Sequence, residues 1–163
     1  YLLPPSLMFI PLFLVLQKLG LIDTRFGLVL AYLTFTIPFC TWMLIGYFRT
    51  IPNDLDEAAQ IDGATRVQTL LKVIIPVAAP GVAVVALFAF THAWNEFLYA
   101  LVFVYSPSTK TFPAGLSGAA MGDTFIWGQL MASSVVAIVP IFIIYVVAQR
   151  HIVEGLSAGS VKG

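Results

Sequence analysis

Long uncharged runs alternate with short polar ones along this chain, and the lengths of the runs are informative. From Phe26 to Phe48 no charged residue occurs. About 20 apolar residues, rising 1.5 Å each, cross a hydrocarbon core of about 30 Å, so the run over 26–48 predicts a transmembrane helix with Pro38 inside it. A second span is predicted over 77–104, interrupted only by His92 and Glu96, and a third over 124–149, where Pro140 should bend the helix. The opening run, 1–17, is uncharged but short and contains Pro4, Pro5 and Pro11, so it reads as a partial or kinked span.

The two connections after the first full span differ in kind. Residues 49–76 are polar but helical in pattern. Asn53 or Asp54 can cap a helix start, and Asp56 and Glu57 fall in its first turn, where the positive end of the helix dipole favours them. Gly63 supplies a stop or sharp bend. Thr65 and Gln68 then have capping-box spacing, and Val67, Leu70, Leu71, Ile74 and Ile75 form a stripe that predicts a second, amphipathic helix. Residues 106–123 are instead rich in Gly, Ser, Thr and Pro and read as a mostly irregular loop.

Composition supports the membrane reading. Of 163 residues 60% are hydrophobic and 10% charged, with mean hydropathy +0.95, whereas soluble domains carry about 25% charged residues. The expectation is an all-α, polytopic transmembrane helical bundle forming one domain over 1–163. The first residue is Tyr1, and the chain reads as a fragment lacking its amino-terminal part. Net charge is zero and no basic block occurs, which gives no support to a nucleic-acid partner. Cys40 is the single cysteine, set in an apolar run, so neither a disulfide nor a thiolate cluster is available. His151 has no second ligand at metal-binding spacing, and no metal site is expected. Lys110-Thr111 follows Thr109 rather than a glycine-rich loop, and no other lysine precedes Ser or Thr, so the chain lacks a P-loop. No Ser, His and Asp arrangement suggests catalysis, and Ser133-Ser134 reads as a close-packing pair. Arg49, Arg66, Lys72, Arg150 and Lys162 fall on one side of the spans, against Lys18, Arg25 and Lys110 on the other. The positive-inside rule therefore places 49–76 and the carboxyl end in the cytoplasm.

Within 49–76, Glu57-Ala58-Ala59, three residues, Gly63, nine residues and Val73-Ile74-Ile75-Pro76 resemble the EAA loop of bacterial binding-protein-dependent ABC transporter permeases. Val73 and Ile75 are conservative departures from that pattern. Leu19 to Thr24, Ile37-Pro38-Phe39, Trp94-Asn95-Glu96-Phe97, the last span and the Gly155 to Gly163 ending resemble the maltose-type, carbohydrate-importing branch. The resemblance implies a type I ABC importer permease, with about two further spans upstream of this fragment, in the bacterial inner membrane. It implies that the 49–76 loop forms a coupling helix docked on a cytoplasmic ABC ATPase dimer through Asp54, Glu57, Ala58, Ala59, Asp62 and Gly63. Acids can meet basic groups there, and the alanines admit a close backbone. A second permease subunit and an extracytoplasmic substrate-binding protein are also implied, and the tail would run along the ATPase. No cofactor belongs to this chain, ATP and Mg being held by the ATPase.

His92, Trp94, Asn95 and Glu96 are a second candidate group, because an ionisable residue inside a span is a functional-site hypothesis. They would line a translocation pathway, with Trp94 a stacking surface for a sugar ring, or would fix helix packing through hydrogen bonds. Spacing of i, i+4 would let His92 and Glu96 pair. Two alternatives remain open at this point: an ABC permease for another solute, such as a glycerol phosphate or polyamine, and a proton-coupled secondary transporter in which Glu96 and His92 carry the proton.

Overall fold

A computed structural model describes residues 5–120 and 127–159. The first helix, α1, is Pro5–Lys18, and α2, Arg25–Phe48, is the first long span. The polar connection holds α3, Asp54–Ile61, and α4, Arg66–Thr69. A π-helical turn over Leu70–Ile74 joins α4 to α5, Ile75–Trp94. Then follow α6, Leu98–Phe103, α7, Phe112–Ala120, and α8, Trp127–Gly159. Among the described residues there is no strand, so the fold is all-α as expected. Three helical stretches are long and apolar enough to cross a membrane, Arg25–Phe48, Arg66–Trp94 and Trp127–Gln149, with the shorter Leu7–Lys18 beside them. The expected starts of the first and last spans, 1–4 and 124–126, and the end of the tail, 160–163, lie outside the described residues.

Three boundaries differ from the sequence pattern. The amphipathic helix over 67–75 is not separate from the following span, because α4, the π turn and α5 form one helical rod. Pro76 accounts for the widened turn: it has no N–H, and its ring would strike the carbonyl of Lys72 in a regular helix. One extra residue per turn makes room, and Ile75 N–H donates to Leu70 O, five residues back. The span over 77–104 is broken after Trp94 and restarts at Leu98. The loop over 106–123 contains α7, which its Gly and Ser content concealed: a helix packed on neighbours tolerates residues of low propensity.

The chain divides into two units, Tyr1–Phe39 with Phe90–Ile143, and Cys40–Ala89 with Ile144–Gly163. In the first, Leu16, Leu28, Ala31, Tyr99, Ala100 and Phe103 form the centre of a buried cluster. Aromatic rings carry much of its contact: Tyr99 and Phe103 meet edge to face at 5.4 Å, and Phe35 and Tyr99 at 5.5 Å. Because lipid tails are as apolar as these side chains, ring packing rather than escape from water decides such a core, and each pair contributes about 0.5–1.5 kcal/mol.

In the second unit, α2 and α5 approach closely where Gly81 lies under the ring of Tyr47. A Cβ at Gly81 would stand 2.4 Å from that ring. Thr69 is buried, its hydroxyl donating to Thr65 O at 3.2 Å.

Candidate functional site

Within the polar connection, α3 begins without the side-chain cap that its sequence suggests. Asn53 is itself helical, φ −63° and ψ −25°, and its side chain makes no cap hydrogen bond. Its carbonyl instead accepts from Asp56 N at 2.9 Å and Glu57 N at 3.1 Å, so the first turn is closed by backbone alone. Asp54, Asp56 and Glu57 occupy that turn, as the helix dipole favours. The other end is closed by glycine. Gly63 has φ +81°, its N–H donates to Gln60 O, and Ala64 N–H donates to Ala59 O, both at 3.0 Å. These two bonds are the Schellman pair, and the left-handed residue within it is strained for anything but glycine. No atom lies within 4 Å of a Cβ built at Gly63, so the demand there is conformational only.

The capping box follows as expected. Thr65 N donates to Gln68 Oε1 at 2.9 Å and Gln68 N to Thr65 Oγ1 at 3.3 Å. α3 has no buried residue. Ile61, before the bend, is 85% exposed, and Val67 and Leu71, after it, are 64% and 58% exposed, so the apolar stripe after the bend is left largely uncovered by the described residues. Among the described residues α3 packs chiefly on α4 and the π turn.

Trp94, Asn95 and Glu96 sit at the break between α5 and α6, and each has a separate task. Trp94 Nε1 donates to Ala137 O of α8 at 3.1 Å, and its ring stacks on Phe90 at 5.6 Å. Asn95 Nδ2 donates to Thr91 O at 2.9 Å. Glu96 caps α6: Oε1 accepts from Tyr99 N at 2.8 Å and Oε2 from Ala100 N at 3.1 Å. His92 packs its ring on Phe35 at 5.0 Å. The expected His92–Glu96 pair is therefore absent, because the helix ends between them and the carboxylate turns to the next helix.

Sequence reasoning gave no role to the corner built on Asp23. Asp23 Oδ1 accepts from the N–H groups of Tyr105 and Ser106, each at 3.0 Å, and from Thr109 Oγ1 at 2.7 Å. Oδ2 accepts from the Ser106 hydroxyl. Asp23 N–H donates to Phe103 O at 2.8 Å, and Arg25 Nη2 to Ser108 O at 3.0 Å. Asp23 reaches this position with φ 59°, a left-handed conformation that aspartate tolerates better than most residues. Hydrogen bonds, first from the Ser106 hydroxyl and then from Ser106 N–H, Thr109 and Tyr105 N–H, hold its carboxyl well below the usual carboxylate range, outweighing lost hydration. The signal was an acid just ahead of a span, followed by Thr and Arg. The polar partners at 105–109 gave no sign of lying beside it.

With these sites described, comparison with known proteins decides the family. The family of binding-protein-dependent transport system inner membrane components matches residues 1–157. The chain belongs to that family. Among its relatives, the sulfoquinovosyl glycerol transport system permease protein of Agrobacterium fabrum is 41% identical over 98% of this chain and 56% of its own. The trehalose/maltose transport system permease protein of Thermococcus litoralis is 40% identical over 93% of this chain and 55% of its own. A crystal structure of a bacterial ABC transporter involved in import of the acidic polysaccharide alginate contains a chain with TM-score 0.66 and 30% identity, matched over 86% of this chain and 55% of that one. The chain thus spans little more than half the length of these relatives. In it, Asp54, Glu57, Ala58, Ala59, Asp62 and Gly63 lie together on α3 and its bend, whereas His92, Trp94, Asn95 and Glu96 are directed at four different neighbours.

Proposed function

We propose that this chain is part of the transmembrane subunit of an ATP-driven importer of carbohydrate, with α3 as the helix that receives motion from an ATPase. One observation carries the reading: α3 is a short acidic helix with no buried residue, closed at its far end by the Gly63 Schellman pair and packed chiefly on α4 and the π turn among the described residues. Such a helix is stiff for its length and presents Asp54, Glu57 and Asp62 to a basic partner. The positive-inside count supports a cytoplasmic position for it, beside an ABC ATPase dimer that holds ATP and Mg and performs the hydrolysis. A second permease subunit and an extracytoplasmic substrate-binding protein complete the machine. The carbohydrate cargo rests on the names of the relatives, which carry sulfoquinovosyl glycerol or trehalose and maltose, and on the alginate importer.

The proton-coupled alternative is disfavoured by the placement of Glu96, both of whose oxygens accept backbone N–H groups at the start of α6 and are occupied in closing that helix. Gly63→Val tests the coupling role in the full-length permease reconstituted with its partners. It should reduce ATP-driven uptake about tenfold or more while membrane abundance and assembly persist; normal uptake would sink the coupling assignment.

A further inference from the structure

We infer that a cleft between the start of α7 and the start of α8 is a binding site for a sugar acid. Its volume is about 430 Å³, within the roughly 300–1,000 Å³ of small-molecule sites. Lys110, Thr111, Phe112 and Gly115 form one wall, and Gln129 and Ser133 the other. Gln129 and Ser133 are spaced i, i+4 and share a face of α8, a helix that is otherwise apolar for most of its span.

Polar side chains without partners gather at this cleft. Three helix hydroxyls bond to their own backbone, Thr34 to Ala31 O, Ser117 to Ala114 O and Ser134 to Leu130 O, whereas Thr36 on α2 keeps a buried hydroxyl without a partner. Ser133, one residue before Ser134, makes no such bond. The Thr111 hydroxyl is buried without a partner. Lys110 and Gln129 have no side-chain hydrogen bond or ion pair among the described residues. Three accessible polar side chains, Lys110, Gln129 and Ser133, line one concavity beside the ring of Phe112, with the Thr111 hydroxyl buried behind it.

That inventory defines a ligand. Hydroxyl and amide groups suit the hydroxyls of a pyranose, a phenyl ring suits its C–H face, and an uncompensated ammonium favours a carboxylate or sulfonate substituent. The inference rests on the proposed carbohydrate importer, whose orientation places this cleft on the extracytoplasmic side, and it names the solute class for that reading.

Galacturonate and galactose are the probes, since they differ in charge at one carbon. Binding to the full-length permease in its purified complex, in nanodiscs without ATP, is read by saturation-transfer NMR. Galacturonate should bind more tightly than galactose, and Lys110→Gln should weaken galacturonate about tenfold or more while leaving galactose unchanged. Ser133→Leu, which fills the cleft, should weaken both; Ser133→Ala serves if the leucine variant fails to assemble. Equal binding of the two sugars, no binding of either, or binding unmoved by these variants overturns the site. Because the measurement needs no ATP, its outcome is separate from that of Gly63→Val: failed coupling leaves the sugar preference readable, and a failed cleft leaves coupled uptake intact.

Discussion

Asp23 and Glu96 meet N–H and O–H groups of their own chain, whereas Asp54, Asp56, Glu57 and Asp62 stand on a helix with no buried residue and no ion pair among the described residues. All six acids lie at breaks between or within apolar runs, so position alone does not separate them. What separates them is where hydrogen-bond donors are supplied. At the Asp23 corner and at the start of α6 the chain brings its own donors. At α3 it brings none beyond the helix dipole, and a carboxylate left to solvent on a rigid helix is available to another protein. Acids satisfied internally hold the fold, and the acids left open are the ones the proposed ATPase would meet.

This comparison can be broken at several points. The largest effect is expected from reversing charge on the open acids: Asp54→Lys with Glu57→Lys should lower affinity for the ATPase about tenfold or more, with reduced salt dependence, measured by titrating purified ATPase onto the reconstituted permease. An unchanged affinity would remove α3 from the interface. Next, Asp23→Ala should lower the thermal midpoint of the purified protein and leave ATPase affinity unaltered, since only the internal acid is lost.

The third test is pH. Because the Asp23 carboxyl lies below its ordinary range, its contribution is fully present above the unfolded-state value near pH 4, and falls away as pH drops towards the folded-state value. The gap in thermal midpoint between wild type and Asp23→Asn should therefore be constant from pH 8 to pH 5 and shrink only in stronger acid. A gap that changes between pH 8 and 6 would show a different group at work.

Smallest is the effect at Glu96. Glu96→Ala removes the α6 cap and should cost about 1 kcal/mol. Glu96→Gln keeps one acceptor oxygen and should cost less, with ATP dependence and pH dependence of uptake unchanged. Loss of pH dependence in the glutamine variant would revive the proton-carrying alternative.

The capping box at Thr65 and Gln68 and the bend at Gly63 were legible because each is encoded within a few consecutive residues, and the long spans because each is a continuous apolar run. Asn53 was misread for a local reason: two backbone bonds to its carbonyl do what its side chain was expected to do. The break after Trp94 was hidden because apolar residues continue through it to Val104, and composition registers hydrophobicity rather than direction. The Asp23 corner was illegible for the opposite reason. Its partners lie more than 80 positions away, and no local pattern announces a contact made by the folded chain. The unused polar groups at Lys110, Thr111, Gln129 and Ser133 belong to the same class: only the structure shows which hydroxyls are left unbonded.

The widened turn over Leu70–Ile74 also fixes an azimuth. A helix advances about 100° and 1.5 Å with each residue, so the one additional residue in that turn sets the compass bearing of everything before it relative to α5. Removing Leu71 would swing α3 about 100° around the axis of the span while leaving its chemistry intact, so the acids would keep their spacing and point the wrong way. Register within one helical rod is thus as much a determinant of what α3 can meet as the acids it carries.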